Sequence, residues 1–226
     1  CKWSEDSSLP DVNQIEQFLY QQKSEDEVLK DVGNAADNVG AGISATFTRP
    51  YLAHASIGPS CALAWWHDNC LEVWSHSQSI YALRDELAKI LKLGVDQVIV
   101  RHAEGAGCYG HNGADDVALD AALLALAVDG VPVRVQWMRE DEFAWEPFGP
   151  ASVVKLSGSV NENGQITSWR EEIWGNRHGG RPRGAEIPGL LAAWHTGEGM
   201  QAPMPVDIPL ASGGGSHRNA VPYYEL

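Results

Sequence analysis

The first stretch of this 226-residue chain that offers chemistry is Gly105-Ala106-Gly107-Cys108-Tyr109-Gly110. Glycines let a backbone approach a ligand closely and turn its N–H groups outward, so an anionic cofactor is a natural guest. Gly105, Gly107 and Gly110 also satisfy a GxGxxG spacing. A dinucleotide site needs an acidic residue about 20 positions further on, at a strand end. Asp129 falls near that offset but in an Asp-Gly turn that closes a helix. A tight strand-to-helix turn without ligand fits the same glycines. The second feature is Gly213-Gly214-Gly215-Ser216-His217-Arg218-Asn219, in which a flexible backbone can deliver the Arg218 cation and N–H groups to an oxyanion. A plain glycine linker fits those residues as well.

Other chemistries find less support. The histidines, among them His54, His76, His102, His111, His178, His195 and His217, show no HxxxH or HExxH spacing, so no single motif builds a metal site, and most are expected on surfaces and loops. Asp115-Asp116 and Glu140-Asp141-Glu142 could serve as acid and base. Both stand at expected helix starts, where carboxylates favour the helix dipole without doing chemistry. Cys1, Cys61, Cys70 and Cys108 form no CxxC pair, which leaves reduced thiols as the default; Cys61 and Cys70 flank a turn and could face each other across a hairpin. Cysteine usage leaves the compartment open.

The elements that would position these residues follow from periodicity and punctuation. Asp11–Gln22 sets Ile15, Phe18 and Leu19 on one helical face, and Ser24-Glu25-Asp26-Glu27 reads as the start of a second short helix. In Val39–Tyr51, Ile43, Ala45 and Phe47 alternate with polar residues as in a strand. Cys61–Trp66 and Leu71–Trp74 form a hairpin over His67-Asp68-Asn69, with Trp65, Trp66 and Trp74 expected to be buried, as is Trp137 in a later strand. Ser77 can cap a helix whose Ile80, Leu83, Leu87, Ile90 and Leu91 recur at helical steps as far as Gly94. A strand at Gln97–Val100 leads into the glycine loop, and Asp115–Val128 forms an Ala/Leu-rich helix after it. Val133–Trp137 is a strand, Arg139–Trp145 a helical turn, and Val153–Val160 with Gln165–Trp174 a hairpin over Asn161–Gly164. From Gly175 onward no period is sustained, which predicts a long loop held by its surroundings. The fold class is α+β, with mixed sheets and flanking helices; residues 1–40 form a helical linker segment and 41–226 a partial domain.

Composition is that of a globular protein, with 44% hydrophobic and 20% charged residues. Sixteen Lys and Arg against 30 Asp and Glu give a net charge of -14, a field that repels phosphate backbones and argues against nucleic acid as a partner. No apolar run reaches the roughly 20 residues of a bilayer span; the longest, Val117–Val128, is broken by Asp120. The chain begins at Cys1 and stops at Tyr224-Glu225-Leu226 as a piece cut from a longer protein would.

Taken in order, several blocks resemble the molybdopterin-binding subunit of the xanthine dehydrogenase and aldehyde oxidase family, and most of all its nicotinate or isoquinoline dehydrogenase branch. They are Tyr51-Leu52-Ala53-His54-Ala55-Ser56-Ile57-Gly58-Pro59, Leu71-Glu72-Val73-Trp74-Ser75-His76-Ser77-Gln78, the loop Gly107-Cys108-Tyr109-Gly110, and Val131–Glu142 with its Arg139-Glu140-Asp141. The resemblance implies the first part of a molybdopterin-binding domain. It places Gln78 beside the molybdenum centre, donating from its amide, and sets Gly107, Cys108, Tyr109, Gly110 and Arg218 toward metal and pterin, the latter in its cytosine dinucleotide form. It further implies hydroxylation of a small heteroaromatic or aldehyde substrate with water as oxygen source, and electrons leaving through an iron–sulfur or cytochrome subunit or domain. No residue of this chain is assigned a catalytic role or a metal-ligand role, because the family's glutamate base lies in a later domain; alone, the fragment should be inactive. Tyr109 stands where the family has Phe, Cys108 replaces a glycine, and Gly58 replaces a frequent Glu. Cys108 and Gly58 suggest a rival reading, a scaffold that kept the fold and lost the cofactor.

Overall fold

The computed structural model describes residues 10–33, 42–105, 107–110, 112–176 and 189–196. In chain order its elements are α1 (Ile15–Gln21), β1 (Gly42–Arg49), β2 (Cys61–His67), β3 (Cys70–Ser75), α2 (Ile80–Leu91), β4 (Val98–His102), α3 (Ala114–Ala127), β5 (Val133–Gln136), α4 (Arg139–Trp145), β6 (Ser152–Val160) and β7 (Ile166–Gly175). Two compact units are present. The described residues before position 53, with those from 150 to 176, form one; those from 53 to 149, with 189–196, form the other.

In the first unit β1, β6 and β7 make an antiparallel sheet in that order. The β6–β7 hairpin turns at Asn161–Gly164, where Gly164 takes the positive φ of +77° that the turn requires. α1 lays Ile15 and Leu19 on Ala151 and Val153, with Phe18 and Trp174 at the margin. That is the apolar stripe expected of Asp11–Gln22. The second helix expected from Ser24 does not form: residues 23–32 have no regular structure, and the Ser24 hydroxyl bonds Asp26. Val28, Leu29 and Val32 are exposed there, so no buried stripe supports a helix too short to stand alone.

The second unit carries the glycine loop. Its sheet has the order β4-β3-β2-β5, with β2 antiparallel to β3 and to β5, and β3 parallel to β4. The β2–β3 turn puts Asp68 and Asn69 at φ +47° and +60°, the left-handed pair that a two-residue hairpin turn selects. Ala62 and Ala64 of β2 are small because the alanine face of α3 (Ala118, Ala121, Ala122, Ala125) packs close against the sheet. Leu83, Leu87 and Ile90 of α2 close the same core beside Leu71 and Val73 of β3.

Three expectations are corrected here. The first helical residue of α2 is Ile80, not one next to Ser77, and the chain leaves the helix through Lys92 in the left-handed conformation, two residues before Gly94. Cys61 opens β2 and Cys70 opens β3, where it pairs with His67, so the two thiols stand at opposite ends of an antiparallel hairpin. Six residues of strand separate those ends by about 20 Å, far beyond disulfide reach, and both thiols are free. Finally, the region after Gly175 is not wholly irregular: Leu191–Trp194 forms a 3-10 turn that buries Leu190 and Ala193 in the core of the second unit.

Candidate functional site

β3 and β4 run side by side in the same direction, so their carboxyl ends open on one edge of the sheet. In open α/β sheets that edge is where ligands bind. Gln78 follows the end of β3 by three residues, and Gly105–Gly110 follow the end of β4 in the same way. Sequence-distant groups thereby share one sheet edge.

The turn carrying Gln78 is built from serine hydroxyls. Ser77 N–H donates to Ser75 Oγ at 3.2 Å, Ser79 N–H donates to Ser77 Oγ at 3.1 Å, and Ser75 Oγ–H donates to the Ala114 carbonyl at 3.3 Å. Ser75, Ser77 and His76 are buried, whereas Gln78 is exposed at the apex.

The loop after β4 is held differently. Gly107 and Gly110 have φ of +117° and +123°, where an L side chain is strained. A Cβ at Gly105 would meet the His76 ring at 2.7 Å, one at Gly110 the His54 ring at 2.7 Å, and one at Gly113 would run into the indole of Trp137. The Tyr109 hydroxyl lies over Gly107. The Gly110 carbonyl receives the Asn112 N–H at 3.0 Å and the Cys108 thiol at 3.4 Å. Among the described residues no protein acceptor takes the backbone N–H of Gly107, Cys108 or Tyr109. A glycine backbone whose N–H donors find no acceptor among the described residues, at the same sheet edge as a neutral exposed amide, suits an anionic cofactor. The residues present therefore fit a molybdopterin.

Two acids at helix starts, Glu142 and Asp116, are buried instead of being the solvated first-turn acids that their positions predict. Glu142 of α4 is fully buried and accepts both the N–H and the Oγ–H of Ser60, at 2.7 and 2.9 Å. Glu146, one turn on, accepts the Ala55 N–H. Asp141 does cap α4, taking the Met138 N–H at 2.9 Å. Asp116 is buried, and its Oδ1 accepts the Leu191 N–H. Burial pushes the His76 imidazole below its ordinary value; Glu142 and Asp115 oppose that shift and His102 adds to it. His76 is thus neutral at pH 7, and its buried Nδ1 makes no hydrogen bond.

A cleft of about 270 Å³ begins at Gly105 and runs over the sheet face away from the helices, lined by Leu63, Trp74, His76, Glu104 and Arg134. Spacing in the sequence does not single out His54, Glu142 or Glu146 as parts of a site. The four-residue step from Glu142 to Glu146, which puts both on one face of a helix, was the available signal. Arg218 and His111 lie outside the described residues. Among the described residues no group of three His, Cys, Asp or Glu side chains could hold a metal ion.

The dinucleotide reading loses its context in this topology. After the loop, α3 carries the chain past β3 and β2 to β5 at the far edge, whereas a dinucleotide unit returns to a neighbouring parallel strand. Asp129 sits in the bend after α3, not at a strand end.

A family model for the molybdopterin cofactor-binding domain matches residues 14–193. The chain belongs to that family. Relatives within it include a nicotinate dehydrogenase subunit of Pseudomonas putida, 38% identical over 164 residues, and the aldehyde oxidoreductase molybdenum-binding subunit PaoC of Escherichia coli, 35% identical over 169 residues. These alignments take in 71% and 73% of this chain but only 14% and 23% of the relatives, so the chain spans less than a quarter of either. Quinoline 2-oxidoreductase of Pseudomonas putida superposes with a TM-score of 0.50 over 60% of this chain and 18% of its own, at 16% identity, a likeness of fold. Within the molybdopterin-binding family, α+β architecture with mixed sheets and flanking helices is the architecture seen here.

Proposed function

We propose that this chain forms one wall of the cofactor site in a molybdenum hydroxylase subunit that oxidises a small N-heteroaromatic or aldehyde substrate. The observation that carries the reading is the convergence of Gln78 and the glycine loop on the carboxyl ends of adjacent parallel strands, in a chain of the molybdopterin-binding family. The relatives, one named for nicotinate and one for aldehydes, support the two substrate classes.

Bound molybdopterin, in its cytosine dinucleotide form, supplies two-electron redox chemistry and the activation of water. The overall balance is RH + H2O → ROH + 2H⁺ + 2e⁻, with the electrons passing to an iron–sulfur or cytochrome partner; both relatives are named as subunits. Gln78 donates from a neutral amide, which orients an anionic group without adding charge beside it. The N–H groups of Gly107, Cys108 and Tyr109 cradle negative charge, the positive φ at Gly107 and Gly110 permits their close approach, and Arg218 adds a cation. The proton-accepting glutamate belongs to a part of the full-length protein outside this chain.

The test is molybdenum analysis of the full-length protein, expressed where the cofactor is made, followed by turnover of nicotinate and of aldehydes with an artificial acceptor. One molybdenum per chain is expected, and Gln78→Ala should lower turnover about tenfold or more while retaining the metal. Folded protein without molybdenum would sink the reading and favour the cofactor-free scaffold.

A further inference from the structure

Among the described residues few hydrogen bonds are made within the glycine loop, and behind Gly110 stand a half-buried histidine and a buried acid. Glu146 is 4% exposed. One of its oxygens takes the Ala55 N–H at 3.3 Å, and the other, Oε2, is buried without a hydrogen bond. That oxygen lies 3.9 Å from His54 Nδ1, itself buried and unbonded. At the far end of the same imidazole, a Cβ on Gly110 would fall 2.7 Å from Nε2 and 3.0 Å from Cδ2. His54 therefore fills the space that a side chain at position 110 would need.

The backbone supports the same arrangement. Ala55 adopts φ +49°, a left-handed conformation uncommon for a residue with a Cβ, and its N–H is the group that Glu146 holds. One carboxylate thus fixes the kink after His54 with one oxygen and faces the ring with the other. A buried acid beside one ring nitrogen orients an imidazole and leaves the opposite nitrogen directed at its target. The target here is the backbone of the loop. Asn112, two residues after Gly110, ties the same segment to the loop again by donating to the buried Ser56 hydroxyl at 3.1 Å.

We propose that His54, oriented by Glu146, is a positioning residue that sets the backbone of Gly110 in the cofactor loop. Its functional meaning rests on the reading of that loop as a cofactor wall; the packing itself does not.

Hydrogen–deuterium exchange at the Asn112 N–H, which donates to the Gly110 carbonyl at 3.0 Å, tests the proposal in the full-length protein with and without cofactor. His54→Ala should speed exchange there about tenfold while α2 stays at the parent rate, and Glu146→Gln should give a smaller change of the same sign. His54→Gln, which keeps a nitrogen at similar reach, should restore most of the protection. Gly110→Ala should perturb the loop less when His54 is also Ala than when His54 is present. Parent exchange rates in His54→Ala overturn the proposal. Should that variant not fold, parent rates in Glu146→Gln overturn it equally. Molybdenum content of the same preparations separates the two claims: faster exchange with lost metal supports both, and faster exchange with full metal content overturns the cofactor role of the loop while leaving His54 its place beneath Gly110.

Discussion

The two turns that leave β3 and β4 start from adjacent parallel strands and reach adjacent helices, yet they are stabilised in opposite ways. The β3 exit crosses four residues and is closed by its own serines, each hydroxyl accepting an N–H two positions ahead. The β4 exit crosses eleven residues, and three rings from elsewhere, His76, His54 and Trp137, stand against Gly105, Gly110 and Gly113. A turn of the first kind carries its geometry with it. A loop of the second kind takes its shape from the wall behind it, so its weak points lie far away in sequence.

The largest losses should therefore come from the backing of the β4 loop. Glu142→Ala leaves the Ser60 N–H and hydroxyl buried without an acceptor, and the carbonyl of the same Ser60 receives the Trp137 N–H at 2.9 Å. A cost of about 3 kcal/mol is expected in thermal or urea unfolding, with molybdenum lost from the full-length protein in parallel. Glu142→Gln, which keeps only one acceptor oxygen, should cost less. An Ala variant with parent stability would show that the loop is not supported from α4. Next in size is Gly113→Ala, which drives a methyl into the Trp137 indole and should cost about 2 kcal/mol. Gly164→Ala is its control: with φ +77° and open space around it, only backbone strain of about 1 kcal/mol is expected. Equal losses at the two glycines would remove the packing argument. In the β3 exit the loss should be smaller and confined: Ser77→Ala removes the acceptor of one N–H, about 1 kcal/mol, and exchange should quicken at Ser79 without change at Asn112.

The same contrast decides what the sequence reveals. α2 and α3 are written in local periods, since Leu83, Leu87 and Ile90 fall on one face and an alanine-rich run follows a glycine, and both helices form in the stretches expected, α2 with shorter ends. The Asp68-Asn69 turn and the β6–β7 hairpin are likewise local chemistry. The helix expected at Ser24 fails because Val28, Leu29 and Val32 find no surface to pack against and stay exposed, and a capping sequence alone cannot nucleate a short helix. Gln78 and the glycine loop are legible as words, but their meeting on one sheet edge depends on the parallel β3–β4 register, which no local pattern states. Glu142 is illegible for a sharper reason. An acid in a first helical turn is adequately explained by the dipole, and only the tertiary approach of Ser60 shows that it is buried and bonded.

The smallest effect bears on whether charge takes part in the backing at all. Asp120 of α3 accepts the Trp137 Nε1–H at 3.0 Å, and that indole is the ring against Gly113. Burial raises the Asp120 carboxyl above its ordinary value of 3.8, and the Trp137 hydrogen bond opposes the shift only in part. The folded chain therefore binds this proton more tightly than the unfolded chain does. Stability attached to the group falls as pH rises from that ordinary value through the raised one, and the penalty persists at neutral pH. Asp120→Asn keeps a carbonyl acceptor for the indole and removes the half-buried charge. It should be more stable than the parent at neutral pH, by less than about 1 kcal/mol, with the gain vanishing as pH drops toward 3.8. Unfolding measured against pH checks both signs. A loss of stability at neutral pH would mean that the indole is held by the carboxylate charge, and that the β4 loop is backed electrostatically at Gly113 as well as by packing.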